Sequence, residues 1–487
     1  MKILKTIIRF KKSGGIVLGL GLFLFFLLAN PFILLTDANI VLSVTVLMIC
    51  WWVLDVIPLA ITAILPLILF PMLNVFSIKE VATSYADPII FLFMGGFFIA
   101  IAIEKWNLHK RIALNIINIT GVNGNKIILG FILATGFLSL WLSNSATTMM
   151  MFPIAMSVIK IMETNKISKR DFNNFSLSLM LSIAYASNFA IGTIIGTPPN
   201  IAYSNYISTY LHYNIGFGNW MILFIPLTII LMLLLYLIIV KFLYPNKIGE
   251  TEEGKVYIKE EIKKLGRLTL QEKRVGLVFI ITVLGWVFKD VVNEFQHLIM
   301  LDDTIIGLAG AVLLFIIPTG ERKEKIDSLL TWGDGNKMAW NILILLGGGM
   351  ALAKGLEDVK LITQLDSYFI FLKGTNEFLL ILIITGFSVF FSELISNIAQ
   401  VMVMAPVITS IANTLQLDPL LLGIPMTLGA SCASMLPMGT PPNAIVYASG
   451  FIKMREMLRA GFILNITCTF VITTFCYFLQ PLIMKLA

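Results

Sequence analysis

Apolar runs of about 17 or more residues, the length that spans a bilayer core as an α-helix, recur along the whole of this chain. A polypeptide that must hide so much apolar surface from water has few folds open to it. The ten-residue alternating segments of a membrane β-barrel do not occur, so the spans are read as helices. Composition agrees: 58% of the 487 residues are apolar and 13% are charged, against roughly 25% charged in soluble domains.

Taken in order, the runs place full spans near 16–35, 38–55, 57–74, 88–104, 174–202, 219–245, 275–292, 303–318, 337–353, 418–446 and 461–484. Two more blocks, 127–159 and 377–411, are interrupted near the middle by polar residues, as a hairpin that enters and leaves on one side of the membrane would be. The expected fold is an all-α integral membrane protein of about eleven transmembrane helices plus two re-entrant hairpins. The first run is too long for a signal peptide and lacks a small-residue cleavage site, so it reads as a retained helix.

Charge supplies the orientation. With the N-terminus in the cytoplasm, 29 of the 35 Lys and Arg residues fall in inside loops, the bias that the positive-inside rule demands in a cell membrane. The formal charge of +7 is therefore explained by topology and not by a nucleic-acid partner. The one long hydrophilic connection, 246–274, mixes both signs of charge and predicts a cytoplasmic amphipathic helix.

This connection separates two halves that repeat. Gly95 and Gly347 lie 252 positions apart, Asn144 and Asn397 lie 253 apart, and Asn200 and Asn443 lie 243 apart, in the same order. The divisions are an N-terminal basic segment and first helix (1–37), a first repeat (38–245), the linker (246–274) and a second repeat (275–487). Each repeat holds five spans, an odd number, so the second should lie upside down relative to the first, a construction typical of secondary transporters.

Each repeat also carries two polar interruptions at membrane depth: a Ser-Asn hairpin tip (Ser143, Asn144; Ser396, Asn397) and the sequence Gly-Thr-Pro-Pro-Asn (196–200; 439–443). Paired prolines must end one half-helix and open another. Backbone freed in hydrocarbon is tolerated only against protein or a watery cavity, so these four elements are expected to meet. Half-helix N-termini favour an anion, free carbonyls favour a cation such as Na⁺, and the Ser, Asn and Thr side chains serve either. A kink by the prolines and simple helix-to-helix bonds by Ser and Asn are the plainer readings, which the symmetric repetition argues against.

Glu393, beside the second tip, is either functional or bonded to backbone. The glycines of "FMGGFF" and "LGGGMA" read as close-packing sites, and the Met-rich "TTMMMFPIAM" as helix packing. His109, His212 and His297 read as solvated loop residues, and the four cysteines as small core residues without metal spacing. No nucleophile with a nearby base appears at membrane depth, so an enzyme is disfavoured.

The stretches "SLWLSNSATTMMMFPIAMSVI", "IIGTPPNIAY", "SELISNIAQVMVMAPV" and "SCASMLPMGTPPNAIVYASG" resemble the divalent anion/sodium symporter family, the di- and tricarboxylate transporters. The resemblance covers essentially all of the chain after the first span. It implies a secondary transporter for C4-type dicarboxylates (succinate, malate, fumarate, 2-oxoglutarate), as Na⁺ symport or dicarboxylate exchange. It also implies a homodimer whose transport domains move as elevators against fixed scaffold domains.

By the same resemblance, substrate contacts fall to Ser143, Asn144, Ser145, Thr197, Pro198, Ser396, Asn397, Ile398, Thr440 and Pro441. One sodium site would use Ser139, Ser143, Asn144 and the Gly196 carbonyl; its mirror would use Ser392, Asn397 and the Ile395 and Gly439 carbonyls. The family's Ser-Asn-Thr tips are altered here: Ser145 keeps a hydroxyl, whereas Ile398 replaces one with an alkyl group. That altered tip leaves the sodium requirement open. An inorganic divalent anion such as sulfate is the alternative cargo, and an anion channel the alternative mechanism.

Overall fold

The structure, a computed structural model of the chain, describes all residues except 1, 55, 122, 164–167, 214, 250–251, 296–298, 321–327, 362–371 and 487. Among the described residues it is all-helical, with one isolated β-bridge, Pro318 to Ser328. The first half runs α1 (Lys2–Ala29), α2 (Thr36–Val53), α3 (Leu59–Thr62), α4 (Leu65–Met72), α5 (Ile78–Thr83), α6 (Pro88–Lys105), α7 (Leu108–Thr120), α8 (Gly124–Ser139), α9 (Asn144–Met162), α10 (Lys169–Asn188), α11 (Pro198–Tyr210) and α12 (Phe217–Tyr236). The linker holds α13 (Glu252–Lys264). The second half continues with α14 (Leu270–Phe295), α15 (Asp303–Ile316), α16 (Trp340–Asp358), α17 (Glu377–Phe391), α18 (Asn397–Leu415), α19 (Pro419–Ala430), α20 (Pro441–Tyr447) and α21 (Met454–Leu486).

Seven described helical stretches are long and apolar enough to cross a membrane: Thr36–Val53, Ile78–Lys105, Asn144–Met162, Phe217–Leu243, Leu270–Phe295, Asn397–Leu415 and Met454–Leu479. Shorter apolar helices occupy Ser13–Ala29, Leu59–Met72, Gly124–Ser139, Asp303–Ile316, Glu377–Phe391 and Pro419–Ala430, while the expected spans at 174–202 and 337–353 coincide with α10, α11 and α16, which belong to neither group. The run at 57–74 is two pieces, α3 and α4, because Pro66 lacks a donor and clashes with the carbonyl four residues back, at Thr62. The runs at 174–202 and 418–446 also divide. The first half-helices end well before the prolines expected to end them, at Asn188, ten residues ahead of Pro198, and at Ala430, eleven ahead of Pro441.

Local chemistry sets the helix starts. Asn123, Ser168 and Asn376 cap α8, α10 and α17 by accepting hydrogen bonds from backbone N–H groups three residues on. Asp87 and Asp418 cap α6 and α19, each followed by a proline at the first helical position, where no donor is missed. The linker helix α13 forms as expected. The sequence reading did not anticipate α7, which buries Leu108, Ala113, Leu114 and Ile117 on one face. His109 is buried there too, its Nδ1 3.1 Å from the Ile103 carbonyl oxygen, contrary to its expected solvation; His212 is exposed, and His297 lies outside the described residues.

The glycine pairs do act as packing sites. A Cβ on Gly95 would meet the Gly307 carbonyl carbon of α15 at 2.5 Å, and one on Gly348 would meet the Ala63 Cβ, between α3 and α4, at 2.5 Å. Two apolar clusters result: a large one around the hairpins and broken helices, and a smaller one built on Trp52, Phe70, Val81, Leu345 and Leu352. Ile398 and Met402 pack against both.

Candidate functional site

The first hairpin is α8 and α9, joined by a turn at 140–142. Ser143 is extended (φ −61°, ψ 143°) and caps α9, its Oγ accepting from Ala146 N at 3.3 Å. The second hairpin is α17 and α18, with Ser396 in the same conformation (φ −61°, ψ 129°) but making no side-chain cap bond. The first N–H groups of a helix have no carbonyl to meet. At these tips, therefore, the amides of Asn144 and Ser145, and of Asn397, Ile398 and Ala399, are left to bond something outside the helix.

The broken helices differ. Thr197 and Thr440 are extended N-caps, and prolines at the next two positions leave α11 and α20 with no N–H there. The next amides are already used: Asn200 N donates to Thr197 O at 3.1 Å, and Asn443 N to Thr440 Oγ1 at 3.4 Å. Anion donors were expected from all four elements. The broken helices contribute their positive dipole ends and no free N–H, so donation to an anion falls to the hairpin tips.

Each residue of the repeated Gly-Thr-Pro-Pro-Asn now has a physical task. A Cβ on Gly196 would meet Thr193 Oγ1 at 2.9 Å, and one on Gly439 would meet Glu393 Oε2 at 2.7 Å, so both positions are too close to neighbours for a side chain. The asparagines are staples. Asn200 Nδ2 donates to the Ile191 and Thr193 carbonyls (3.0 and 2.9 Å), and Asn443 Nδ2 to those of Ala433 and Leu436 (3.3 and 3.1 Å). These bonds satisfy backbone that the breaks set free.

A chain of contacts joins the elements. α9 packs on α10 and α20, and α18 packs on α19 and α11; α10 crosses α20 as α19 crosses α11. At the first tip, Thr193 Oγ1 donates to Leu140 O at 2.5 Å. At the second, the buried Glu393 carboxylate takes over: Oε1 accepts from Ser434 N (2.6 Å), Met435 N (2.7 Å) and Asn465 Nδ2 (2.8 Å), and Oε2 from Leu436 N (2.9 Å). Of the two readings left open for Glu393, the geometry shows bonding to backbone.

The residues expected to bind substrate separate by depth. Ser143 and Pro441 are exposed, while Asn144, Ser145, Pro198, Ser396, Asn397 and Ile398 are half-buried. Thr197 and Thr440 are buried, at 0% and 4% exposure, beneath the helix ends that they cap. The alkyl group of Ile398 packs against apolar neighbours while its backbone N–H opens α18. Losing a hydroxyl there has therefore not removed every donor from that tip.

Among the residues expected to hold a cation, oxygens of the first half lie close together. The Asn144 carboxamide lies 3.0 Å from the Gly196 carbonyl oxygen and 3.1 Å from that of Ser187. With its nitrogen toward them it donates two hydrogen bonds; with its oxygen toward them, three oxygens face one another and call for a cation among them. Ser139, whose carbonyl oxygen would stand 3.3 Å from a Cβ on Gly196, is fully buried, and its Oγ has no hydrogen-bond partner. In the second half Asn397 Oδ1 is likewise buried without a partner; Ser392 Oγ donates to Val389 O at 2.9 Å, and Ile395 and Gly439 are buried.

A family model described as the sodium:sulfate symporter transmembrane region matches residues 16–485. The chain belongs to this family. Two relatives of this symporter-family protein are the sodium-dependent dicarboxylate transporters SdcS of Staphylococcus saprophyticus, 37% identical over 475 residues (96% of this chain, 91% of the relative), and of Staphylococcus aureus strain USA300, 36% identical over 477 residues with the same coverage. Among solved structures, the Alcanivorax borkumensis YdaH transporter shares the fold at a TM-score of 0.57 and 13% identity, over 84% of this chain and 88% of that one. The MtrF protein of Neisseria gonorrhoeae does so at 0.52 and 11%, over 82% and 83%. The symporter-family protein is a membrane transporter and not an enzyme.

Several of this transporter's site residues went unread in its sequence. Trp141, at the first tip, stacks on Phe217 (ring centroids 6.4 Å apart) and meets Phe279 edge-on (4.9 Å), anchoring that turn to α12 and α14. Ser187 and Asn188 end α10, and Ser431 follows α19. A signal existed for two of them: Asn188 precedes Thr197 by nine residues, as Ser431 precedes Thr440.

Proposed function

We propose that the protein carries C4-type dicarboxylates such as succinate, malate or fumarate, and the related five-carbon 2-oxoglutarate, across the cell membrane by alternating access, with Na⁺ as coupling ion. The observation that carries this reading is the pair of 19-residue helices, α9 and α18, that open at Ser-Asn tips with unused N–H groups. Two such ends, each beside a neutral amide, suit the two carboxylates of one substrate without a fixed cation to trap it. The printed names of the staphylococcal relatives, sodium-dependent dicarboxylate transporters, support both cargo and ion.

In this reading Ser143, Asn144, Ser145, Ser396, Asn397 and the Ile398 amide meet the substrate beside Pro198 and Pro441, and Thr197 and Thr440 act through the helix ends that they cap. The first Na⁺ is held by Ser139, Ser143, Asn144 and the Gly196 carbonyl, joined by the Ser187 carbonyl. The second is held by Ser392, Asn397 and the Ile395 and Gly439 carbonyls. An asparagine that turns oxygen to the ion and nitrogen to the carboxylate couples the two.

The architecture we propose has eleven spans and two re-entrant hairpins in inverted repeats, 38–245 and 275–487, after a first segment at 1–37 and around the linker at 246–274. The N-terminus is cytoplasmic, and the protein is a homodimer, as the family resemblance implies. The smaller apolar cluster, of α2, α4, α5 and α16, belongs to a scaffold, and the hairpins and broken helices to a moving transport domain. Ile398 and Met402 sit on the surface between them.

Purified protein in liposomes tests the function. Labelled succinate should enter with external Na⁺ and not with choline, and unlabelled succinate should compete where sulfate does not. Uptake inhibited by sulfate and indifferent to succinate would replace the cargo with an inorganic anion. Uptake in choline that requires internal dicarboxylate would replace symport with exchange.

A further inference from the structure

Among the described residues, two related buried polar contacts run from one repeat to the other. Asn188, 1% exposed at the end of α10, turns its Nδ2 to Thr440 Oγ1 (3.1 Å), Asn443 Oδ1 (3.3 Å) and Ala433 O (3.2 Å). Ser431, 2% exposed and C-terminal to α19, donates its hydroxyl proton to Thr197 Oγ1 at 3.1 Å. Asn188 and Ser431 lie 243 positions apart, as do Thr197 and Thr440. The two contacts are therefore one contact made twice, with the repeats exchanged.

Their place in the fold gives them a consequence. Each joins the end of one broken helix's first half to the residue capping the other broken helix's second half, where α10 crosses α20 and α19 crosses α11. The hairpin helix α9 rests on α10 and α20, and α18 rests on α19 and α11. The separation of the two anion-facing tips is thus set through these two crossings. Close-packed helices slide or tilt only if their contacts give, and buried hydrogen bonds at the crossing resist that in a way that apolar contacts do not.

We infer that Asn188 and Ser431 are positioning residues that fix the distance between the two carboxylate half-sites, and so set which length of dicarboxylate the transporter prefers. The inference rests on the reading of the tips as the two ends of a dicarboxylate site. Neither residue touches the substrate; each acts through the threonine that it holds. Removing a pin loosens one crossing, which weakens binding of the well-fitted substrate more than that of a longer or shorter one.

The test is a double-mutant cycle on purified protein, with dissociation constants for malonate, succinate and glutarate and a melting temperature for every variant. Wild type should favour one length by about ten-fold or more, the scale of one well-placed polar contact. Asn188→Ala and, independently, Ser431→Ala should each shrink that preference by roughly three-fold or more. In the Thr440→Val background Asn188→Ala should change the preference by less than it does alone, because one of its three partners is already gone while Asn443 and Ala433 remain. In Thr197→Val, Ser431→Ala should change the preference by less than about two-fold, because the hydroxyl that accepts from Ser431 is gone.

Equal loss of affinity for all three lengths, or an unchanged preference in both single variants, overturns the inference while leaving the dicarboxylate site standing. An effect of Asn188→Ala that persists in full in Thr440→Val also overturns it. Should Asn188→Ala fail to fold, Ser431→Ala, which loses only a hydroxyl, decides the question. Wild-type protein that binds none of the three dicarboxylates overturns the site reading and the inference together.

Discussion

Removing the Glu393 carboxylate should unfasten the second half of the site. It accepts four hydrogen bonds, from the amides of Ser434, Met435 and Leu436 and from Asn465 Nδ2, at 2.6 to 2.9 Å and with 3% exposure. Alanine leaves all four donors unmet, and each buried donor costs about 1–3 kcal/mol. The total, about 4–12 kcal/mol, is comparable to the roughly 5–15 kcal/mol that holds a typical protein together. Entry of water favours the low end, so about 4 kcal/mol is the working figure. Glu393→Gln keeps one oxygen but sets a nitrogen against one of the amides, so its loss is smaller and its order predictable: wild type, then Gln, then Ala. Thermal unfolding in detergent followed by gel filtration reads the stability, and uptake per folded molecule reads the site. An alanine variant that melts within about 2 °C of wild type would refute the claim that these bonds hold the tip to the loop.

Asn144→Ala and Asn397→Ala should each abolish succinate uptake while the protein still elutes as a folded species; full activity in both would remove the proposed site. Ile398→Thr should lower the melting temperature by an amount equivalent to about 1 kcal/mol, from lost apolar contact with both clusters. The same change should tighten succinate binding, as isothermal titration would show, and an unchanged dissociation constant would count against side-chain contact at that tip. Gly348→Ala should destabilise by about 1–3 kcal/mol, since its methyl would stand 2.5 Å from the Ala63 Cβ and push α16 off the neighbouring backbone; a wild-type melting temperature would contradict the close packing.

Much of the molecule was legible in one dimension because a bilayer imposes simple rules. Residues that must sit in hydrocarbon are apolar over a fixed length, so most of the apolar helices and the two interrupted blocks could be located from run lengths, and the linker helix from its mixed charge. Prolines act on their own chain, so the breaks were visible too. Their extent was not: α10 and α19 stop ten and eleven residues ahead of the prolines, where the loops are held by Asn200 and Asn443 reaching back to their carbonyls. His109 is a similar case. The polar loop in which it was read coils into α7, whose apolar face carries it inward.

The sequence alone determined that the chain spans a membrane, that it is built twice, and that Ser-Asn tips and Gly-Thr-Pro-Pro-Asn breaks recur at matched positions, because hydrophobic length, proline sterics and repetition are properties of neighbours along the chain. The tertiary structure decided which of these groups face outward and which hold others in place. It left the tip amides open, closed the broken-helix amides with prolines and threonine caps, buried Thr197 and Thr440, and set Asn188 and Ser431 across from them. Those outcomes depend on residues about 240 positions apart meeting at helix crossings, and a hydrogen bond depends on distance and direction in space, which order along the chain does not specify.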